Sequence, residues 1–283
     1  MRWKGRRTSE NVEDRRGMNG PAVAGGGLGL MVLALIVALL GGNPQPILQQ
    51  ARQAPVGDQA GEARALSPEE IEAGEFAKTI LADTEDVWTE LFAQAGRTYK
   101  KPTMVLFSGQ VKSACGFASS ASGPFYCPAD EKLYLDTSFF TQMAEELGAP
   151  GEFAQAYVIA HEVGHHVQKL LGYTQKVEMV RRTRSEAEAN EASVRLELQA
   201  DFLAGCALHH AQRTKHIIEP GDVEDGLRAA AAIGDDRLQQ RSQGYIVPES
   251  FTHGTSEQRL RWFMKGLQTG DLSQGDTFSA AQL

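Results

Sequence analysis

The chain has 283 residues, 42% of them hydrophobic and 23% charged, which is enough apolar mass for one or two ordinary cores and excludes a disordered or fibrous protein. Its formal net charge is -8, and its basic residues are scattered. No basic stripe is available for nucleic acid, so no nucleic-acid partner is expected.

The first feature along the chain is an uncharged run at 22–42, AVAGGGLGLMVLALIVALLGG. As a helix it would span about 32 Å, matching a hydrocarbon layer of ~30 Å. Arg2, Lys4, Arg6, Arg7, Arg15 and Arg16 precede the run, whereas only Arg52 is basic among the next twenty residues. The positive-inside rule then predicts a cytoplasmic N-terminus. The long basic leader and the lack of an A-x-A-like site at LLGGNPQP favour a retained anchor over a cleaved signal peptide. The expected organisation is a cytoplasmic segment 1–20, a single transmembrane helix 21–42, a linker 43–66 rich in Pro, Gln, Gly and Ala, and an extracytoplasmic domain 67–283.

Within that domain, Ser67, Pro68 and Glu70 form a capping box with proline at the first helical position. Ile71, Phe76, Ile80, Leu81, Val87, Trp88 and Leu91 follow at helical spacing, predicting one helix to about Gly96. Short strands are predicted at 103–109 and 132–136. Between them Cys115 and Cys127 bracket the Gly/Ser-rich stretch CGFASSASGPFYC, a setting for a local disulfide in an oxidising compartment. Helices are predicted at about 137–147, 151–171, 185–213, 221–241 and 255–267. Cys206, inside one of these, reads as a small buried thiol. Strands first and helices after make an α+β domain, mostly helical.

The stretch AHEVGHHVQ concentrates the chemistry. His161 and His165 are four positions apart, so on a helix they project from one face and can reach a single ion. His166 is rotated away from that face by about 140°. Glu162 stands beside the first histidine, where it can hold a water against a metal, as in the HExxH arrangement of zinc peptidases. Composition alone would produce HExxH in roughly one or two such chains in a hundred, so context must decide. The motif does lie in an apolar-periodic segment bearing Phe153, Tyr157, Val158, Val163, Val167 and Leu170.

A catalytic zinc takes three protein ligands and leaves one place to water. Gln168 and Leu171 stand where a metzincin would need its later Gly and His, so the third ligand is expected from a second helix. ELQAD supplies Glu197 and Asp201 on one face, interrupting an apolar segment with Leu196, Leu198, Phe202 and Leu203. A buried unpaired carboxylate there is costly unless a cation compensates it. Glu197 is therefore assigned as third ligand of one Zn²⁺ per chain, and Asp201 as the carboxylate that orients a ligand histidine. Glu162 is the expected general base, and His253, at a loop-to-helix junction, the expected stabiliser of the oxyanion.

The residues HEVGH and ELQAD, together with RRG before the apolar run, FYCPADEKLYLD and THGTSEQR, resemble the bacterial neutral zinc metallopeptidase family over essentially the whole chain. That family is similar to the wider gluzincins, including membrane-associated heat-shock and prenyl-protein-processing types. The resemblance implies a zincin-like domain, a bacterial membrane location, His161, His165 and Glu197 as zinc ligands, Glu162 as base and Asp201 behind the ligands. It implies that KSACGFASSAS is an edge strand along which an extended peptide or unfolded protein binds by β-augmentation. It also implies, from a histidine followed six residues later by arginine, that His253 and Arg259 belong near the site.

The leading expectation is a membrane-anchored zinc endopeptidase. The alternatives are a catalytically silent, zinc-stabilised binding or chaperone-like module, and a zinc amidase. Glu162 weighs against the first alternative, because closed structural zinc sites need no adjacent base. The metal chemistry alone does not name the scissile bond.

Overall fold

Ser67 caps the first long helix, as its sequence predicts. Its hydroxyl accepts the N–H of Glu70, and the Glu70 carboxylate accepts the N–H of Ser67. The computed structural model describes residues 1–17, 64–146 and 148–283. In chain order the elements are β1 (Val12–Asp14), α1 (Pro68–Gln94), β2 (Thr103–Phe107), β3 (Gln110–Ser113), β4 (Gly116–Ser119), β5 (Phe125–Cys127), β6 (Lys132–Asp136), α2 (Ser138–Glu145) and α3 (Glu152–Leu171). Then follow α4 (Tyr173–Thr183), α5 (Glu186–Lys215), α6 (Asp222–Ala232), α7 (Asp235–Gln243) and α8 (Ser256–Thr269). The α+β, mostly helical class expected from the sequence is the one observed.

The main sheet has the order β1-β2-β6-β5, with β5 alone antiparallel to its neighbour. Met104, Val105, Leu106 and Phe107 of β2 are all buried, as befits a central strand covered on both faces. β3 and β4 pair as a separate hairpin, tied to β5 by a disulfide between Cys115 and Cys127. Cys206 is a buried free thiol.

The sheet and α1 enclose α3, whose Phe153, Tyr157, Ala160, Val163 and Val167 have no measurable exposure. α3 in turn packs on α5, and α5 on α8. These helices approach closely because glycine faces backbone at each crossing. A Cβ on Gly164 would sit 3.0 Å from the Ala200 carbonyl oxygen. One on Gly266 would lie 2.1 Å from the carbonyl oxygen of Phe202, and one on Gly205 2.3 Å from that of Phe263.

Three differences from the sequence expectation have physical causes. The helix expected at 221–241 is two, α6 and α7, broken at Gly234, where a Cβ would lie 2.4 Å from the Ser256 nitrogen. α4 was not foreseen because it is polar and buries only Val177, leaving no apolar stripe to read. The strands β1, β3, β4 and β5 are three or four residues long, too short for a period to register.

A fourth difference corrects the domain boundaries. Met1–Arg15 and Ser67–Leu283 form one compact unit, whereas residues 1–20 were expected to stand apart from the domain. The reason is the chemistry of the basic segment. β1 pairs in parallel with β2 from Val12↔Met104 to Asp14↔Leu106, flanked by Met104 N–H to the Asn11 carbonyl at 2.9 Å and Arg15 N–H to the Leu106 carbonyl at 2.8 Å. Trp3 is buried edge-on against Phe76 and donates its indole N–H to Glu152 at 2.8 Å. Glu85 of α1, only 1% exposed, accepts from Ser9 at 2.6 Å, Asn11 at 2.7 Å and Arg7 at 3.2 Å. Arg6 and Arg7 thus serve as counter-ions of α1 carboxylates.

A second unit spans Arg16–Leu66. Of it, the described residues include Gly17 and Arg64, joined by a hydrogen bond from the Arg64 N–H to the Gly17 carbonyl at 3.0 Å. The expected transmembrane helix 21–42 and most of the expected linker lie outside the described residues. Among the described residues no helix is long and apolar enough to cross a membrane.

Candidate metal centre

On α3, His161 and His165 present their Nε2 atoms 3.1 Å apart, one helical turn from each other. From α5, Glu197 Oε2 reaches within 3.2 Å of His161 Nε2 and 3.5 Å of His165 Nε2. These side chains are only 7%, 17% and 18% exposed, so water does little to satisfy them. Two imidazole nitrogens and a carboxylate oxygen facing one another at such distances need a proton or a cation between them. Ligand atoms of a tetrahedral Zn²⁺ at ~2.0–2.1 Å stand about 3.3 Å apart. The observed separations fit that spacing.

The hydrogen bonds on the far sides of the rings set their tautomers. His161 donates Nδ1–H to Asp201 Oδ1 at 2.8 Å, and His165 donates Nδ1–H to Gln168 Oε1 at 2.9 Å. Each Nε2 is the ring atom turned toward Glu197 and the other ring. Gln168 is fixed by donating to the Leu196 carbonyl at 2.6 Å and to Gln199 Oε1 at 3.1 Å. Burial opposes charging His161, but Asp201 and then Glu197 outweigh it and lift its pKa to about 10. The centre is therefore built to hold positive charge.

Asp201 has no solvent exposure and is held from two sides. Arg259 of α8 grips it with Nε to Oδ2 and Nη2 to Oδ1, both at 2.9 Å, and Tyr157 donates its hydroxyl to Oδ1 at 2.6 Å. A buried carboxylate with a bidentate arginine stays ionised. Arg259 also reaches the Ile233 carbonyl at 3.3 Å, linking α8 to the break between α6 and α7.

Glu162 lines a cleft of about 490 Å³ together with His161, His165 and Glu197. Burial pushes its carboxyl up from the ordinary range, while the two histidines and the backbone N–H of Tyr126 pull it back. His253 lines the same cleft, with its side chain 48% exposed. Its Nδ1 lies 3.1 Å from Asp235 Oδ1, and that hydrogen bond raises its pKa. Asp235 holds the whole loop, its Oδ2 accepting the backbone N–H groups of Thr252, His253 and Gly254.

Apolar walls complete the cleft, with Phe139, Val158, Leu196, Ile233 and Leu238 around the polar centre. Its rim on the sheet side is Ser122–Pro124 and then β5, an edge strand of the main sheet. Most of KSACGFASSAS, the expected edge strand, forms the separate two-stranded β3–β4 hairpin. β5 is tied to α3 through His166, the histidine that helical geometry set aside. His166 is fully buried, donates Nε2–H to the Lys100 carbonyl at 2.6 Å and accepts the Tyr126 hydroxyl at Nδ1 at 3.0 Å.

All seven residues singled out in the sequence therefore border or support one cleft. Reasoning from the sequence missed Tyr157, Gln168 and Asp235. Tyr157 stands four positions before His161 and Gln168 three after His165, helical spacings that could have marked both. Asp235 carries no such signal, because what it binds is backbone nineteen residues and fewer ahead of it.

A site of this kind, two histidines one turn apart with an adjacent glutamate and a third acidic group from a second helix, defines the zinc-peptidase class of metal centre. The family model described as "Putative neutral zinc metallopeptidase" matches residues 1–278, and the chain belongs to that family. It is 48% identical over 285 residues to Uncharacterized protein YpfJ of Escherichia coli (strain K12), covering 98% of this chain and 99% of the relative. It is also 48% identical over 195 residues to Uncharacterized protein Rv2575 of Mycobacterium tuberculosis (strain ATCC 25618 / H37Rv), 65% of each chain. No solved structure matches the chain.

Proposed function

We propose that this protein is a zinc-dependent endopeptidase acting on extended or unfolded polypeptide, held at a bacterial membrane. The observation that carries the chemistry is the convergence of His161, His165 and Glu197 on one point beside Glu162, in a cleft rimmed by an edge strand. A Zn²⁺ bound there would polarise a scissile carbonyl and acidify a water toward a pKa of ~7.

The chain's own residues do the rest. His161, His165 and Glu197 hold the ion, with Asp201 orienting His161 and Gln168 orienting His165. Arg259 and Tyr157 keep Asp201 in place as a carboxylate. Glu162 takes the proton of the attacking water and delivers it to the leaving nitrogen. His253, oriented by Asp235, donates to the developing oxyanion. β5 offers its free edge to the backbone of an extended substrate, while the apolar walls accept side chains and exclude water.

The test is hydrolysis of a denatured protein by the purified full-length chain. Cleavage at internal bonds, abolished by a chelator and restored by about one equivalent of zinc, is the expected result. Release of terminal residues only, or cleavage indifferent to chelation, would refute the proposal.

A further inference from the structure

We infer that Met1–Arg15 and Ser67–Leu283 lie on the same side of the membrane. This goes beyond the proposed chemistry and does not depend on it. The inference joins one structural observation to one length argument.

The structural observation is that β1 is a strand of the same sheet that carries β5. Val12–Asp14 are in register with Met104–Leu106 of β2, a strand whose residues from Met104 onward are buried. Trp3, Ser9 and Asn11 reach Glu152 and Glu85 of the same unit. Segments that share a sheet share a compartment.

The length argument concerns the run itself. Its 21 uncharged residues suffice for one crossing of a ~30 Å layer, and two crossings by helices would need about 40. Residues 43–66 cannot supply the second, since they contain Arg52, Asp58, Glu62 and Arg64 along with three prolines. A single crossing would put β1 and β2 on opposite faces of the bilayer and leave β1 without its partner. The pairing of β1 with β2 therefore requires both segments in one compartment.

The membrane topology expected from the flanking arginines is thereby replaced. The positive-inside rule reads those arginines as fixing a cytoplasmic N-terminus, but Arg6 and Arg7 are engaged with Asp83, Glu85 and Asp86 of α1. Their charge answers a need of the fold.

Site-directed labelling of the full-length chain in bacterial cells decides the matter. In a Cys206→Ala background, Thr8→Cys and Glu257→Cys each place one thiol at an exposed position, and Glu10→Cys with Gln175→Cys forms a second pair. Cells are treated with a membrane-impermeant maleimide before and after permeabilisation, with the parent chain as blank. Both members of each pair are expected to label under the same condition. Labelling of the N-terminal thiol on one side only and the domain thiol on the other would overturn the inference.

Discussion

At the scale of single residues, the proposed centre separates groups that would hold the ion from groups that would aim those holders. Glu197 is within 3.2–3.5 Å of both ring nitrogens, whereas Asp201 touches only the far side of His161. Replacing Glu197 with alanine is therefore expected to abolish stoichiometric zinc, Asp201→Asn to weaken binding about 10- to 100-fold, and Glu191→Ala to leave it unchanged, as read by metal analysis after dialysis against graded zinc buffers. Glu191 is the control because it stands exposed on the same helix, paired with Arg195. Protonation of His161 sets a second expectation. Its pKa is raised to about 10 by Asp201 and Glu197 against burial, so near neutral pH this ring carries a proton that an ion must displace. Apparent zinc affinity should therefore fall as pH falls, with at least one proton released per ion bound. Calorimetry in buffers of differing ionisation enthalpy measures that release.

Among the elements, the site depends on how closely three helices approach. α3 brings the histidines, α5 brings Glu197 and Asp201, and α8 brings Arg259. The α5–α8 crossing has glycine on both sides, and a methyl at Gly266 would strike the Phe202 carbonyl. Gly266→Ala should destabilise the protein by about 1–3 kcal/mol or more and weaken zinc binding, read by thermal unfolding with and without zinc. α3 and α5 were legible in advance from their apolar residues, and the structure adds capping boxes at Ser185 on α5 and Thr255 on α8. HEVGH and ELQAD lie in α3 and α5, which is why the side chains that the structure brings together there could be named from the sequence. What could not be read was contact between distant segments. The β5 rim, the Asp235 cradle under His253 and the Tyr126–His166 tie all join short or irregular stretches whose partners are set by tertiary packing.

For the molecule as a whole, the basic N-terminal segment is part of the fold. Without it, the edge of β2 is bare and Glu85 loses Ser9, Asn11 and Arg7 as partners, keeping Lys101 at 3.5 Å. A fragment starting at residue 67 is thus expected to unfold or aggregate, while residues 1–16 joined by a short Gly/Ser linker to 64–283 should unfold cooperatively, as circular dichroism would show. The central claim, that Glu162 works on a water at a metal held by its neighbours, has one direct test. Full-length Glu162→Gln should bind about one zinc, as the unsubstituted chain does, and lose at least 100-fold in the hydrolysis of a denatured protein. Retained zinc with undiminished hydrolysis would contradict the account.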